Sequence, residues 1–232
     1  MTSTSLHARV GILVSGGLDS SILLAHYLDR GRRVQPFYVL SGLTWQAAEL
    51  AALRCYLAAI AGERLDDLVT LDLPLGDLYG DHWSITGRDV PDADSDDEAV
   101  YLPGRNALLV VKAALWCHLH GIEELALGPL KANPFADATP KFFASFQASL
   151  NLATSGGVRL VRPLAGYDKR QVMQLGRNYP LELTFSCISP KGGLHCGRCN
   201  KCGERRRAFV EVGQPDPTHY AGGAELCRSL RG

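Results

Sequence analysis

The stretch that most constrains this chain runs Val10-Gly11-Ile12-Leu13-Val14-Ser15-Gly16-Gly17-Leu18-Asp19-Ser20-Ser21. Apolar, β-prone residues halt at Ser15-Gly16-Gly17, and a leucine-rich run over 22–28 comes at once after them. That order predicts a strand, a glycine turn and a helix N-terminus. Such a turn gathers unpaired backbone N–H groups and the positive end of the helix dipole at one point, which suits a phosphate. Gly16 and Gly17 let the backbone take positive φ and approach a ligand closely. Ser15, Ser20 and Ser21 add hydroxyl groups, and Asp19 is placed to cap the helix or to reach a metal ion on the phosphates. The turn lacks the lysine of G-x-x-x-x-G-K-[ST] and does not match G-x-G-x-x-G.

The alternation of strand and helix repeats along the chain. Strands are predicted over 32–40, 68–73, 124–128 and 158–164, and helices over 47–61, 105–118, 142–152 and 169–177. Their β-α-β-α-β order implies a parallel sheet with helices on both faces, and ligands bind at the carboxyl ends of such strands, where the Ser15 loop lies. Phe142, Phe146 and Leu150, at four-residue spacing, read as a core-facing stripe. Periodicity fails over 75–99, and residues 89–98 carry six carboxylates in ten positions. That density reads as a solvated, mobile loop of the kind that serves as a lid. Arg105 and Lys169 each fall just after a break, at a predicted helix start, where a cation can face a phosphate and stabilise charge building on pyrophosphate.

Four of the seven cysteines, Cys187, Cys196, Cys199 and Cys202, crowd into sixteen positions as C-x8-C-x2-C-x2-C. Two overlapping C-x2-C steps offer three thiolates to one ion, and Cys187 returns across Gly192-Gly193 as the fourth. Four soft sulfur ligands fit structural zinc, and an iron–sulfur cluster is the alternative. Lys191, Arg198, Lys201 and Arg205 to Arg207 lie close enough to offset the charge of the thiolates, and His195 is redundant as a ligand. Cys55 and Cys117 sit in apolar helical patterns and read as buried small hydrophobes, while Cys227 reads as a bystander. Domain limits are expected at 1–180 for the nucleotide-binding part and 181–232 for a small, helical cysteine-bearing part.

Acidic and basic residues number twenty-four each, so no basic field favours nucleic acid. No apolar stretch approaches a membrane span, and Met1 to His7 lacks a signal-peptide pattern. The expectation is a cytoplasmic protein with a short N-terminal lead-in.

The S-G-G-x-D-S loop resembles the pyrophosphate loop of the ATP pyrophosphatase family, which cleaves ATP between its α and β phosphates and adenylates a substrate oxygen. Pro103-Gly104-Arg105-Asn106, Pro163-Leu164 with Lys169, His195-Cys196-Gly197-Arg198-Cys199-Asn200-Lys201-Cys202 and Asp216-Pro217-Thr218-His219-Tyr220 extend the likeness over most of the chain. Together they resemble the 7-cyano-7-deazaguanine synthase family. That resemblance implies a Rossmann-like, adenine nucleotide alpha hydrolase-like domain, a zinc-bearing C-terminal part and a homodimer. It implies ATP, Mg2+ and Zn2+ as cofactors, with ATP on residues 14–21 (Val14, Ser15, Gly16, Gly17, Leu18, Asp19, Ser20 and Ser21). Asp19, Arg105 and Lys169 become the catalytic candidates, and Asn106, Asp137 and Thr139 the acceptor-binding ones. The implied reaction joins ammonia to a small deazapurine acid, 7-carboxy-7-deazaguanine, and carries the amide on to a nitrile.

Two departures bear on the acceptor. The family has a Tyr-Gly-Gln-Arg-His-like stretch after the second strand, where this chain reads Tyr38-Val39-Leu40-Ser41-Gly42. Its Asp-Cys-Arg-Pro loop is here Asp137-Ala138-Thr139-Pro140, without the guanidinium that pairs with a carboxylate or a purine edge. A paralogue acting on a related deazapurine, or on a protein or peptide group joined to one, is therefore a second reading. A base-modifying tRNA enzyme and a non-catalytic nucleotide-binding module are further ones.

Overall fold

The computed structural model describes residues 9–222. The N-terminal lead-in over residues 1–7 and Cys227 lie outside the described residues. Five strands, β1 (Arg9–Leu13), β2 (Arg33–Leu40), β3 (Val69–Asp72), β4 (Glu124–Ala126) and β5 (Arg159–Val161), form one sheet in the order β3-β2-β1-β4-β5. All four pairings are parallel. β1 lies at the centre with Val10 and Ile12 fully buried, as a strand covered on both faces requires. The chain winds outward from β1 to β3, then returns to place β4 on the other side. The crevice where that direction reverses lies between β1 and β4, at their carboxyl ends.

Helices cover both faces, giving a Rossmann-like fold. On one side α1 (Leu18–Asp29), α2 (Gln46–Ala59), α7 (Lys169–Leu175) and α8 (Asn200–Glu211) share a core around Ile22, Leu53, Met173 and Phe209. On the other, α5 (Arg105–Leu119) and α6 (Pro140–Thr154) pack on Phe37 and Leu125. Phe143 and Leu150 of α6 are buried there, with Phe142 and Phe146 packed at the edge. Backbones approach closely at Gly176, where an added Cβ would stand 2.5 Å from the Ile22 side chain. A third core, built from Leu43, Trp45, Val100, Leu102, Phe185 and Ile188, surrounds the cysteines.

Two expectations are corrected. Residues 75–99 hold two single-turn helices, α3 (Gly76–Tyr79) and α4 (Trp83–Thr86), and a 3-10 turn at Asp97–Val100. Four-residue helices are too short to show periodicity, so the sequence hid them. The acidic segment is not a free lid. Asn200 ties it to α8 by donating from its backbone N to Pro91 O (2.9 Å) and from Nδ2 to Ser95 O (2.8 Å). Its carboxylates face solvent while its carbonyls hold the chain in place. Cys117 is fully buried, as its apolar surroundings implied, but Cys55 is exposed. The buried side of α2 is formed by Glu49, Leu53, Tyr56 and Leu57, and position 55 falls outside it. Among the described residues no helix is long and apolar enough to cross a membrane.

Candidate active site and metal centre

The loop after β1 closes on itself before it meets anything else. Ser15 N–H donates to Ser20 Oγ at 3.1 Å, and Gly17 N–H donates to Ser15 Oγ at 3.4 Å. Gly16 takes φ +75°, and a Cβ there would crowd Glu49 O and Leu53 Cβ at 3.3 Å. Glycine is therefore required twice over, by conformation and by room. Gly17, not Asp19, is the N-cap of α1. From the far end of the chain, Phe185 N–H donates to Gly16 O at 2.7 Å and fastens the C-terminal part to the loop.

Charge is arranged around this turn. Lys169 Nζ donates to both Asp19 carboxylate oxygens at 2.8 Å and lies 2.8 Å from Glu204 Oε1. Lys169 is the first residue of α7, whose start is set by a capping box between Asp168 and Gln171. Burial works against the ammonium charge of Lys169, but the Asp19 and Glu204 carboxylates overcome it and push its pKa up. Burial likewise opposes the Glu204 charge, and Lys169 and Lys201 hold its carboxyl down at about 2. Across the turn Arg105 opens α5, its Nε buried with no hydrogen-bond partner among the described residues. Glu49 is buried too, and its pKa is pushed up to about 7 by that burial, against the pull of Arg105 and hydrogen bonds from Tyr38 and Trp45. The Tyr38 hydroxyl donates to Glu49 Oε2 at 2.6 Å.

Two adjoining cavities use this wall. One, of about 210 Å³, is lined by Ser15, Gly17, Leu18, Asp19, Ser20, Arg105 and Lys169, together with Glu49, Lys201 and Glu204. The other, of about 320 Å³, runs along the ends of β1, β2 and β4 past Val14, Tyr38, Val39, Asn106, Leu127 and Gly128. The first carries the cations Arg105, Lys169 and Lys201 beside the loop, which suit phosphates, and the second adds Val39, Leu109 and Phe135, against which a flat ring can pack. The structure thus brings together Asp19, Arg105, Lys169 and most of the loop. Ser21 is apart: its hydroxyl is buried within α1 with no hydrogen-bond partner among the described residues. Asp137 is buried, accepting from Asn106 N (2.9 Å) and Nδ2 (3.2 Å), and Thr139 caps α6 through Phe142 N–H (3.1 Å). Neither lines either cavity, whereas Asn133 and Phe135 line the larger one.

Glu49, Lys201 and Glu204 gave no sign in the sequence that they belong to the site. Lys201, expected to offset the charge of the thiolates, turns instead to Glu204 at 2.7 Å. Its three-residue spacing from Glu204 puts the two on one helix side, but spacing does not say where that side points.

Cys187, Cys196, Cys199 and Cys202 are all buried with their sulfur atoms within 4.8 Å of one another. Backbone N–H groups aim at the sulfurs: Cys196 N to Cys187 Sγ at 3.2 Å, and Cys199 N to Cys196 Sγ at 3.3 Å. Buried thiolates need such donors, and four closed sulfur ligands fit zinc. His195 does not join them, since its Nε2 accepts from Ser186 N–H at 3.1 Å.

The family model described as "Queuosine biosynthesis protein QueC" matches residues 9–213. The chain belongs to the QueC family. It is 30% identical to the 7-cyano-7-deazaguanine synthase of Solidesulfovibrio magneticus, over 94% of this chain and 98% of that one. It is 32% identical to that of Xanthomonas oryzae pv. oryzae, over 90% and 96%. As a QueC-family protein it is an ATP-dependent synthase. Solved structures show the fold: a predicted tRNA methyltransferase subunit from Methanocaldococcus jannaschii superimposes with TM-score 0.51 at 15% identity, covering 92% of each chain. A 4-thiouridine synthetase in complex with RNA and ATP gives TM-score 0.51 at 16% identity, over 89% of this QueC-family chain and 50% of that one.

Proposed function

We propose that the chain makes a nitrile from 7-carboxy-7-deazaguanine and ammonia by two successive adenylations. The observation that carries this is the facing of Asp19 and Lys169, 2.8 Å apart, at the turn of the Ser15 loop. The substrate carboxylate attacks the α-phosphorus of ATP, and the bond to pyrophosphate breaks. In this reading Lys169 and Arg105 supply the cations that offset the negative charge on the departing pyrophosphate. Ammonia then attacks the acyl carbon, AMP leaves with the former carboxylate oxygen, and a proton is lost to give the amide. The amide oxygen then attacks the α-phosphorus of a second ATP and releases pyrophosphate, and loss of AMP, carrying that oxygen, and of the two N–H protons leaves the nitrile. Loop N–H groups bind and orient the phosphates throughout.

Asp19 is the residue that would hold Mg2+, which when bound neutralises phosphate charge. Cys187, Cys196, Cys199 and Cys202 would hold Zn2+, which when bound fixes the C-terminal part against the loop. Both assignments belong to this proposal, as does action as a homodimer.

One observation favours a second reading of the acceptor. The 137–140 loop is occupied with its own neighbours and brings no cation to the cavity. A different deazapurine, or a protein or peptide group joined to one, is the acceptor under that reading. Incubation with ATP, magnesium, ammonium and 7-carboxy-7-deazaguanine decides between them. Two AMP per nitrile is the expected result; ATP binding without turnover transfers the case to the second acceptor class.

A further inference from the structure

Helix α8 belongs to two places at once. Cys199 is its N-cap and Cys202 lies in its first turn, yet Lys201 and Glu204 line the cavity at the Ser15 loop. From the loop outward the charges alternate in unbroken contact. Asp19 meets Lys169 at 2.8 Å, Lys169 meets Glu204 at 2.8 Å, and Glu204 meets Lys201 at 2.7 Å. Each Glu204 oxygen takes one lysine, Oε1 for Lys169 and Oε2 for Lys201. Lys201 also lines the larger cavity, so its ammonium sits on the boundary between the two.

We propose that Lys201 is a phosphate-contacting residue for ATP and that Glu204 is a positioning residue that holds Lys169 and Lys201 at a fixed separation. The cysteine-bearing part thereby supplies part of the nucleotide site. This rests on the ATP-using reading above.

The chemistry is that of a three-donor cation. An ammonium group has three N–H bonds, and Lys169 directs them at Asp19 and Glu204. When a polyphosphate enters, the donors facing Asp19 can turn to phosphoryl oxygens while Glu204 keeps its hold. A lysine already anchored on one side loses less side-chain freedom on binding. The same carboxylate fixes Lys201, so two cations arrive pre-set for a substrate whose charge is concentrated on its phosphates.

Charge alone and positioning predict opposite signs for Glu204. A carboxylate near phosphates repels ATP, so removing it on charge grounds tightens binding. If it aligns the lysines, removing it loosens binding. The test is calorimetric titration of the full chain with ATP and with AMP, in magnesium, for wild type, Lys201→Met, Glu204→Gln and Glu204→Asp. Metal content and melting temperature are recorded for each.

Lys201→Met is expected to weaken ATP about tenfold, the size of one charge-assisted contact, and AMP less than about twofold. Glu204→Gln and Glu204→Asp are expected to weaken ATP by about three- to tenfold with AMP unchanged. The aspartate keeps the charge but draws it back by one methylene, so a loss there reports position. Unchanged or tighter ATP binding in both Glu204 variants overturns the proposal. So does loss of metal or melting temperature in step with affinity, which would mark a purely structural role. A wild-type chain that binds neither nucleotide overturns the ATP-using reading instead, and the wild-type titration alone reveals it.

Discussion

Glu49 is a carboxyl group placed where carboxyl groups are costly. It lies under the loop, buried between Tyr38 and Trp45, and releases its proton near pH 7 instead of 4.5. Between those values the folded chain keeps a proton that the unfolded chain has lost, so stability falls as pH rises through that window. The cost at pH 8 is on the order of 3 kcal/mol. Glu49→Gln removes it while preserving shape and the acceptor for Tyr38. Urea melts should therefore show the variant's advantage over wild type growing from pH 5 to pH 8; an advantage that does not change with pH would mean that Glu49 titrates normally. Individual residues were unevenly legible. Ser15 to Ser20, Arg105 and Lys169 stood out because local punctuation marks helix starts. Glu49 sat in a run of alanine and leucine with nothing beside it in sequence to announce Tyr38, eleven residues away.

At the scale of elements, the cysteine-bearing part was expected to be helical, but neither the bounds of α8 nor its partners were readable. The cysteine spacing announced a metal, because ligand geometry is local and repeats every three residues. Native mass spectrometry should find one zinc per chain, with no visible absorption of the kind an iron–sulfur cluster gives. Cys199→Ser should lower both zinc content and melting temperature, with a loss of stability of several kcal/mol if the site drives local folding. The acidic segment shows the limit of composition as a guide. Six carboxylates in ten residues predict repulsion and mobility, yet one fully buried asparagine side chain, Asn200, overrides them through backbone carbonyls. Asn200→Ala should raise amide exchange over residues 92–97 about tenfold, with zinc content unchanged. Equal exchange in both proteins would mean that Val100 and Leu102 suffice to hold the segment.

Across the whole molecule, the sheet was the most legible part. Five apolar runs with helices between them leave few topologies open, and the right-handed crossover rule selects among those. The paired helix layers follow directly, whereas the strand order that puts β1 at the centre came only from the structure. What could not be read was how residues beyond 180 return to the first loop, because contacts over such sequence separation leave no periodic trace. The closed site gives a global prediction. ATP present at a hundred times its dissociation constant should stabilise the fold by about 2.7 kcal/mol, raising the melting temperature by roughly 5 °C or more. Asp19→Ala should abolish most of that rise; a full rise in the variant would separate nucleotide binding from the Asp19–Lys169 pair.

The hydrogen bond from Phe185 to Gly16 sets an order of events at the ribosome. The Ser15 loop leaves first, but the chain that fastens it emerges roughly 170 residues later, some 10–30 s at ordinary rates of synthesis. Until then the loop has neither its clasp nor Glu204. A nascent chain therefore carries an unfinished cavity at that loop, and a product truncated before residue 185 has the signature motif without the surroundings that complete it.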